Sequence, residues 1–398
     1  MTHETADLVV IGAGTIGGWA SWFARTDGLG RVVVLERGLA GQGASSRAAG
    51  VVRQQGGVPE TVQLGRFSVD FYRSQPGRLG TDSGFRELGY IILGLDDDDV
   101  AAAQERMAMQ RAEGLDVRWL TAEEARALVP SLAPGAIRGG TYVSTDGCID
   151  PPRNVQAYSL AMQAAGVEVR ERTPFLGLLT ERAGERLLVV GVQTPTGPVA
   201  TSRVLLTGGP TLAEVGRVAG VRIPVGAARH SVAVTEPHPA FADPQPMLFD
   251  LRAGLYWRLE EGGLLFGWSD PDERPGEARA VDLEALAAWR ARLARYVPLT
   301  ARLGLRKLWA ATIDYTSDHL PILGPGLDET GTPVDGLWVA SPAGHGMMWG
   351  PGVARVAADL VLRGRSDLID AGRFGLDRFD AEGRSRRAAD PIALPFPT

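Results

Sequence analysis

The segment from Leu8 to Glu36 constrains the fold of this chain more than any other. An apolar run, Leu8–Ile11, leads directly into a glycine-rich turn, and a second apolar run, residues 32–35, ends at Glu36. A helix-compatible stretch, residues 19–25, lies between them. Strand, glycine turn, helix, strand and terminal acid in this order are typical of a dinucleotide-binding site. The alternative, a glycine turn in an ordinary α/β domain, is disfavoured by the position of the acid.

Each glycine of the turn has a physical role in such a site. Gly12 permits the tight turn, Gly14 lets the backbone approach a pyrophosphate, and Gly17 lets the helix pack on the sheet. The helix N-terminus offers unpaired N–H groups to phosphates. Glu36 is expected to accept hydrogen bonds from ribose hydroxyls. The neighbouring residues of the predicted contact set are Thr15, Ile16 and Arg37.

Composition excludes several classes of function. The 398 residues are 44% hydrophobic, so two domains are more plausible than one. A net charge of −6 argues against nucleic-acid and anionic-membrane partners. A single cysteine, Cys148, excludes an internal disulfide and fits a reducing cytosol, and we predict no metal site. We expect neither a signal peptide nor a membrane span, and we predict a cytoplasmic protein.

Periodicity changes in the middle of the chain. Residues 231–235 alternate as a half-buried strand does, and residues 255–258 and 264–267 form a candidate hairpin. The predicted fold class is α/β, with a nucleotide domain built from separated segments and an inserted antiparallel-sheet domain. The predicted boundaries are 1–85, 146–220 and 305–372 for the nucleotide domain, 86–145 and 221–304 for the substrate domain, and 373–398 for a C-terminal tail.

Four further segments, together with the glycine turn, carry a family resemblance. They are Gly43–Arg53, Val204–Gly209, Trp309–Gly324 (with T-S-D-H-L-P-I-L-G at its end) and Ala343–Met348, which is followed by Pro351. In their order and spacing the chain resembles the D-amino-acid oxidase and sarcosine oxidase superfamily of FAD-dependent amine oxidoreductases, over nearly its whole length. The resemblance implies a discontinuous FAD-binding Rossmann-like domain of the glutathione-reductase type.

The resemblance also implies which residues contact FAD. Ser45 and Ser46 would donate to phosphate oxygens, and Gly50 would permit close passage beside the ring. The loop around Gly344 and Gly346 would stabilise negative charge that gathers near flavin N1 and O2. The remaining implied contacts are Arg47, Val51, Phe175 (near adenine), Thr207, Gly208, His345, Met347 and Met348.

Substrate contacts follow from the same resemblance. Arg53 corresponds to an arginine that pairs a substrate carboxylate, a role that suits the guanidinium fork. Arg258 is a second candidate, on a strand expected to wall the cavity, where at most one of Tyr256 and Trp257 can face the site. His230 could line the cavity or satisfy a backbone group. For His345 a structural or flavin-adjacent role is favoured over proton transfer.

The chain departs from the family at three positions. Ala311 replaces the cysteine that tethers FAD in monomeric sarcosine oxidases, so we predict non-covalent FAD. Leu265 and Met348 replace lysines, one of which activates oxygen beside the flavin in those oxidases. Losing a cation there removes electrostatic help in forming superoxide. The sequence therefore leaves two possibilities for the electron acceptor, oxygen or another acceptor.

The function implied is oxidation of the C–N bond of an amino acid or N-methylated amino acid. Hydride passes to flavin N5, and the resulting imine hydrolyses. One alternative is an FAD-dependent 2-hydroxy-acid dehydrogenase, which needs a base such as His230 or His345. Another is a flavin-binding partner or assembly protein with little turnover. An NAD-dependent dehydrogenase is disfavoured, and the sequence leaves the oligomeric state open.

Overall fold

The computed structural model describes residues 4–241, 243–392 and 395. Its strands, numbered in chain order, are β1 (Glu4–Thr5), β2 (Leu8–Ile11), β3 (Val32–Leu35), β4 (Val51–Val52), β5 (Arg86–Glu87), β6 (Tyr90–Gly94), β7 (Arg118–Thr121), β8 (Gly139–Val143), β9 (Gly147–Cys148), β10 (Glu168–Arg170), β11 (Gly177–Ala183), β12 (Arg186–Thr194), β13 (Gly197–Ala200), β14 (Val204–Leu206), β15 (Gly226–Thr235), β16 (Met247–Asp250), β17 (Leu255–Glu260), β18 (Gly263–Trp268), β19 (Leu305–Tyr315), β20 (Ile322–Leu327) and β21 (Pro333–Ser341). The α-helices are α1 (Thr15–Thr26), α2 (Pro59–Leu79), α3 (Asp97–Ala112), α4 (Ala122–Leu128), α5 (Pro151–Ala165), α6 (Leu212–Val218), α7 (Leu283–Tyr296) and α8 (Gly350–Arg363).

The first sheet has a parallel centre. Strands β21, β14, β2, β3 and β10 lie side by side in that order and run parallel. Every residue of β2 and β3 is buried, as expected when both faces of a parallel sheet are covered. Val10 packs into the core that contains α1 and α8, whereas Val9 packs into a core on the opposite face. The predicted α/β class is confirmed.

The second sheet has eight strands in the order β19-β15-β18-β17-β16-β6-β8-β7. Its neighbours are antiparallel except for β16 and β6. The hairpin β17–β18 forms as predicted, and its turn residues Glu261 and Gly262 both have positive φ, 48° and 78°. Strand β19 pairs with β15 in this sheet, although residues 305–372 were predicted to belong to the nucleotide domain. The predicted domain boundaries remain a prediction.

Helix α1 begins at Thr15, four residues earlier than the apolar pattern indicates. A Cβ atom at Gly17 would lie 1.9 Å from the carbonyl oxygen of Gly12, so only glycine allows this close approach. No side chain caps the helix N-terminus at Gly14. The first N–H groups of α1 therefore follow directly on the glycine turn.

The residues after 372 are not a free tail. Phe374, Leu376 and Phe379 are buried. Arg378 forms a buried ion pair with Asp318, 2.8 Å from Nε to a carboxylate oxygen. Residues 393–394 and 396–398 of the predicted tail lie outside the described residues. Among the helices of the described residues, none has the length and apolar content needed to cross a membrane.

Candidate functional site

A cavity of about 490 Å³ is lined by residues of both sheets and of the loops that follow their strands. It contains most of the residues predicted for cofactor and substrate. Those on its wall are Gly12, Gly14, Thr15, Ile16, Glu36, Arg37, Ser45, Arg47, Gly50, Val51, Arg53, Phe175, Thr207, Gly208, His230, Tyr256, Gly344, His345, Gly346, Met347 and Met348. The structure thus brings together segments more than 300 residues apart in the chain.

Three predicted residues do not line this cavity. Gly17 lies behind the turn, where its role is close packing. Ser46 donates its backbone N–H to the carbonyl of Gly41. The prediction that Arg258 faces the cavity is wrong, because its guanidinium is bound elsewhere. Its Nε and Nη2 donate to the carbonyl oxygen of Ala49 at 3.1 and 3.0 Å, and Nη1 pairs with Glu260. Arg258 therefore holds the Ala49 backbone and has a structural position.

The glycine turn and Ser45 form a polar cradle. The Ser45 hydroxyl oxygen accepts from the Thr15 backbone N–H at 3.0 Å and from the Thr15 hydroxyl at 3.2 Å. Thr15 therefore holds the Ser45 hydroxyl beside the glycine turn. A Cβ atom at Gly14 would meet only this hydroxyl, at 3.2 Å. The donors and the open backbone fit a pyrophosphate at the N-terminus of α1.

Glu36 closes the second strand of the unit. Its carboxylate oxygens accept from the backbone N–H groups of Ala13 at 3.0 Å and Gly38 at 2.8 Å. The carboxylate is thereby fixed beside the turn and keeps lone pairs for ribose hydroxyls. Thr207 behaves differently, because its hydroxyl donates to the carbonyl oxygens of Ile11 and Gly12, at 2.8 and 3.1 Å. Its side chain ties the ends of β2 and β14 together.

The loop between β21 and α8 forms another part of the wall. Ala343 and Gly344 have positive φ, 47° and 84°, which turns the chain sharply after β21. The Nδ1 atom of His345 lies 2.9 Å from the carbonyl oxygen of Ala343, so Nδ1 carries the proton and Nε2 has a lone pair in the neutral ring. The imidazole stacks on Trp349, with ring centroids 4.0 Å apart. Burial lowers the pKa of His345 to about 3, so this ring is neutral.

Arg53 is a buried residue of the cavity wall. Its Nη2 donates to the backbone oxygen of Ile392 at 3.3 Å, whereas Nε and Nη1 are buried with no hydrogen-bond partner. The guanidinium lies 5.8 Å from the ring centroids of both Tyr90 and Phe249. A buried guanidinium with two unpaired nitrogens is costly unless a ligand satisfies them. This position fits an anionic group of a ligand.

His230 and Tyr256 form a hydrogen-bonded pair on the same wall. Nε2 of His230 lies 2.7 Å from the Tyr256 hydroxyl, and Nδ1 lies 3.1 Å from the Ser269 hydroxyl. The two rings are nearly parallel, with centroids 5.6 Å apart. Burial lowers the pKa of His230 to about 4 and raises the pKa of Tyr256. Both side chains are therefore neutral polar groups at neutral pH.

Tyr90, Phe249 and Asp314 are among the residues of this wall that the sequence did not indicate. Tyr90 and Phe249 lie on β6 and β16, which pair in parallel although about 150 residues separate them in the chain. Their apolar strands carry no signal that distinguishes a cavity wall from a core. Asp314 also lines the cavity and accepts from the Ser341 hydroxyl at 2.6 Å. Burial raises the pKa of this carboxyl.

Neither Ala311 nor Cys148 lines the cavity. Ala311 is buried on β19, opposite His230 in the register with β15. Cys148 is buried on β9, opposite Val51, and does not line the cavity. Burial raises the pKa of the Cys148 thiol, which keeps it protonated. Among the described residues, no cluster of three or more potential ligands is arranged to hold a metal ion.

The dinucleotide cradle and the second glycine loop line one cavity, as in a flavoprotein oxidoreductase. The sequence profile of the FAD dependent oxidoreductase family matches residues 7–360. The chain belongs to this family, and the predicted FAD dependence is confirmed.

Relatives cover nearly the whole chain. The 4-methylaminobutanoate oxidase (formaldehyde-forming) of Paenarthrobacter nicotinovorans is 28% identical over 382 residues, which are 92% of this chain and 45% of that protein. The glycine oxidase of Geobacillus kaustophilus (strain HTA426) is 29% identical over 391 residues, 95% of this chain and 98% of that protein. The crystal structure of L-proline dehydrogenase from P. horikoshii has a TM-score of 0.86 at 25% identity, covering 96% of this chain and 100% of that chain.

The chain spans about half the length of the first relatives it matches, 45% of each.

Proposed function

We propose that this protein binds FAD non-covalently and oxidises the C–N bond of an amino acid or N-methylated amino acid. The observation that carries the proposal is the buried guanidinium of Arg53, with two unpaired nitrogens, in the same cavity as the cofactor cradle. A cofactor cradle alone would be compatible with any substrate. A buried guanidinium on the wall of the same cavity favours a substrate that carries a carboxylate.

The residues present fit FAD along the whole cavity. Gly12, Gly14 and Ser45 would hold the pyrophosphate, and Glu36 the ribose hydroxyls. The His345 loop and Gly50 would flank the ring system. When bound, FAD supplies the two-electron oxidant that removes hydride from a carbon next to nitrogen. Non-covalent attachment is supported by Ala311 in place of a tethering cysteine and by the absence of Cys148 from the cavity wall.

The chain's own residues favour the free-amine form of a bound substrate. Arg53 places a positive charge beside it, and the aromatic wall excludes water, so both effects disfavour a second cation. A substrate ammonium is therefore expected to lose its proton on binding. Tyr256 and His230, on the same cavity wall, are neutral and offer hydrogen-bonding atoms.

The relatives support the proposed substrate class. The names of two of them specify a methylated amino acid, 4-methylaminobutanoate, and glycine, and the structural neighbour acts on proline. For the electron acceptor we propose a carrier other than oxygen. Leu265 lies in an apolar cluster with Phe249 and Tyr256, and Met348 is apolar, so neither supplies the cation that assists superoxide formation. A single buried cysteine supports a cytoplasmic location.

The test is anaerobic mixing of the purified, FAD-loaded protein with a panel of compounds. The panel contains glycine, N-methylglycine, N,N-dimethylglycine, 4-methylaminobutanoate, proline and, as a rival class, lactate. We expect bleaching of the flavin's visible absorbance by at least one amine and not by lactate. Bleaching by lactate alone would support a 2-hydroxy-acid dehydrogenase, and bleaching by neither class would support a partner protein with little turnover.

A further inference from the structure

We propose that the segment Asp390–Ile392 is a positioning element of the substrate site, which holds the Arg53 guanidinium and supports the aromatic wall. This inference rests on the proposed function, since it assigns Arg53 to the substrate carboxylate. The segment lies outside residues 7–360, the part of the chain that the family profile matches. It is therefore a contribution of this chain that the family match does not cover.

The segment is fixed at its first residue. The Asp390 backbone N–H donates to the carbonyl oxygen of Asp318 at 2.9 Å. Its buried carboxylate accepts the Ile392 backbone N–H at 2.9 Å, which closes a local turn of the Asx type. The turn sets the direction in which the Ile392 carbonyl points.

The Asp390 turn packs directly against Gly57. A Cβ atom added at Gly57 would lie 1.9 Å from a carboxylate oxygen of Asp390 and 2.7 Å from the Pro391 ring. The backbone at Gly57 and the Asp390 side chain therefore touch without room for a methyl group. Gly57 precedes helix α2 and follows the Arg53–Gln55 stretch, so the turn is packed against the same loop that carries Arg53.

The Ile392 residue reaches the substrate site in two ways. Its carbonyl oxygen is the acceptor for Nη2 of Arg53, at 3.3 Å. Its fully buried side chain packs in the apolar cluster that also contains Tyr90, Phe249 and Tyr256, all of which line the cavity. The segment holds Nη2, while Nε and Nη1 are buried without a protein hydrogen-bond partner. By filling the cluster, the segment also limits the space behind the aromatic wall.

The first experiment measures carboxylate binding through perturbation of the flavin spectrum, with benzoate as the probe. We expect Asp390→Ala to weaken benzoate binding about tenfold, while FAD content stays unchanged, because the turn that aims the Ile392 carbonyl is lost. Asp390→Asn retains an oxygen that can accept the Ile392 N–H and should restore binding. Gly57→Ala should resemble Asp390→Ala, whereas Gly77→Ala, at a glycine with open space around it, should resemble the wild type.

The second experiment measures the substrate preference of Ile392→Ala, as the ratio of kcat/KM for N-methylvaline over N-methylglycine. We expect the ratio to rise about tenfold, because the space freed behind Tyr90 and Phe249 admits a larger substituent. Ile137→Ala, at a buried isoleucine of a core cluster that does not reach the cavity, should leave the ratio unchanged.

The inference is overturned if Asp390→Ala binds benzoate as tightly as the wild type, if Asp390→Asn is as weak as Asp390→Ala, or if the preference of Ile392→Ala matches that of Ile137→Ala. Benzoate binding needs no turnover. A wild-type protein that binds benzoate but is reduced by no amine would therefore refute the proposed function and leave the benzoate test of the segment in force.

Discussion

The two ends of the cavity are built in different ways. The cofactor end consists of short contiguous motifs, in which Gly12, Gly14 and Ser45 present backbone and hydroxyl groups around one helix N-terminus. The substrate end is assembled from Arg53, Tyr90, Phe249 and the distant Ile392. The cofactor end therefore tolerates little backbone change, while the substrate end depends on contacts between parts of the chain that are far apart in sequence.

The largest expected effect tests the cofactor end. Gly12 has φ of +104°, and a Cβ atom there would lie 2.9 Å from the carbonyl oxygen of Thr207. We expect Gly12→Ala to weaken FAD binding at least ~100-fold, because the strained turn must move away from the pyrophosphate. Flavin fluorescence titration of the apoprotein measures this. Gly197→Ala is the matched control, with φ of +120° and open space, and FAD binding that falls equally in both variants would contradict the assignment.

The next effect tests the substrate end alone. We expect Arg53→Met to lower kcat/KM by roughly 100-fold or more, because a carboxylate in this cavity would lose its charged partner. The FAD content should stay at the wild-type level. Arg365→Met, at an exposed arginine, is the control. Loss of FAD together with activity in Arg53→Met would contradict the assignment of Arg53 to the substrate end alone.

The next prediction concerns the electron acceptor that reoxidises the reduced flavin. We expect the reduced wild-type protein to be reoxidised about tenfold faster by a phenazine dye than by oxygen, since no lysine stands at Leu265 or Met348. Met348→Lys, on the cavity wall, should raise the oxygen rate, and Met109→Lys, on α3, should not. Equal rates for both acceptors in the wild type would argue against the proposed carrier.

The smallest effect concerns stability. His230 is neutral in the folded state because its pKa is lowered to about 4, whereas its ordinary value is 6.5. Between these two pKa values the unfolded chain binds a proton that the folded chain does not bind. The stability of the folded state is therefore highest above pH 6.5 and falls as the pH is lowered towards 4. Between about pH 7 and about pH 5 the loss is about 2 kcal/mol.

His230→Asn should remove this pH dependence. Urea unfolding of both proteins at the two pH values measures it, and the difference between the proteins cancels the opposite contribution of Asp146, whose pKa burial raises to about 6. The same loss of stability between the two pH values in wild type and His230→Asn would show that folding does not lower the pKa of His230.

The same contrast explains what the sequence could and could not predict. The cofactor end was predictable because Gly12, Gly14 and Glu36 act through local geometry that spacing records. The hairpin β17–β18 was predictable for the same reason, since alternation and a short turn are local. Tyr90 and Phe249 were not, because their proximity depends on the pairing of β6 with β16, two neighbouring strands of the second sheet that lie far apart in the chain.

Arg258 shows why a local pattern can mislead. It shares a strand face with Tyr256, and alternation therefore predicts it on the cavity wall. The carbonyl of Ala49 captures its guanidinium, and that contact joins residues 209 positions apart. The buried Ile392 was missed for a similar reason, because the sequence around it shows no periodic element.

The most direct test of the account compares N-methylalanine with N-methylethylamine, which has the same amine but lacks the carboxylate. Each is mixed anaerobically with FAD-loaded wild-type protein and with Arg53→Met, and the rate of flavin bleaching is measured. The account predicts fast reduction of the wild type by the amino acid only, and no discrimination between the two compounds by Arg53→Met. Equal reduction of the wild type by both compounds, or a preference that survives in Arg53→Met, would contradict it.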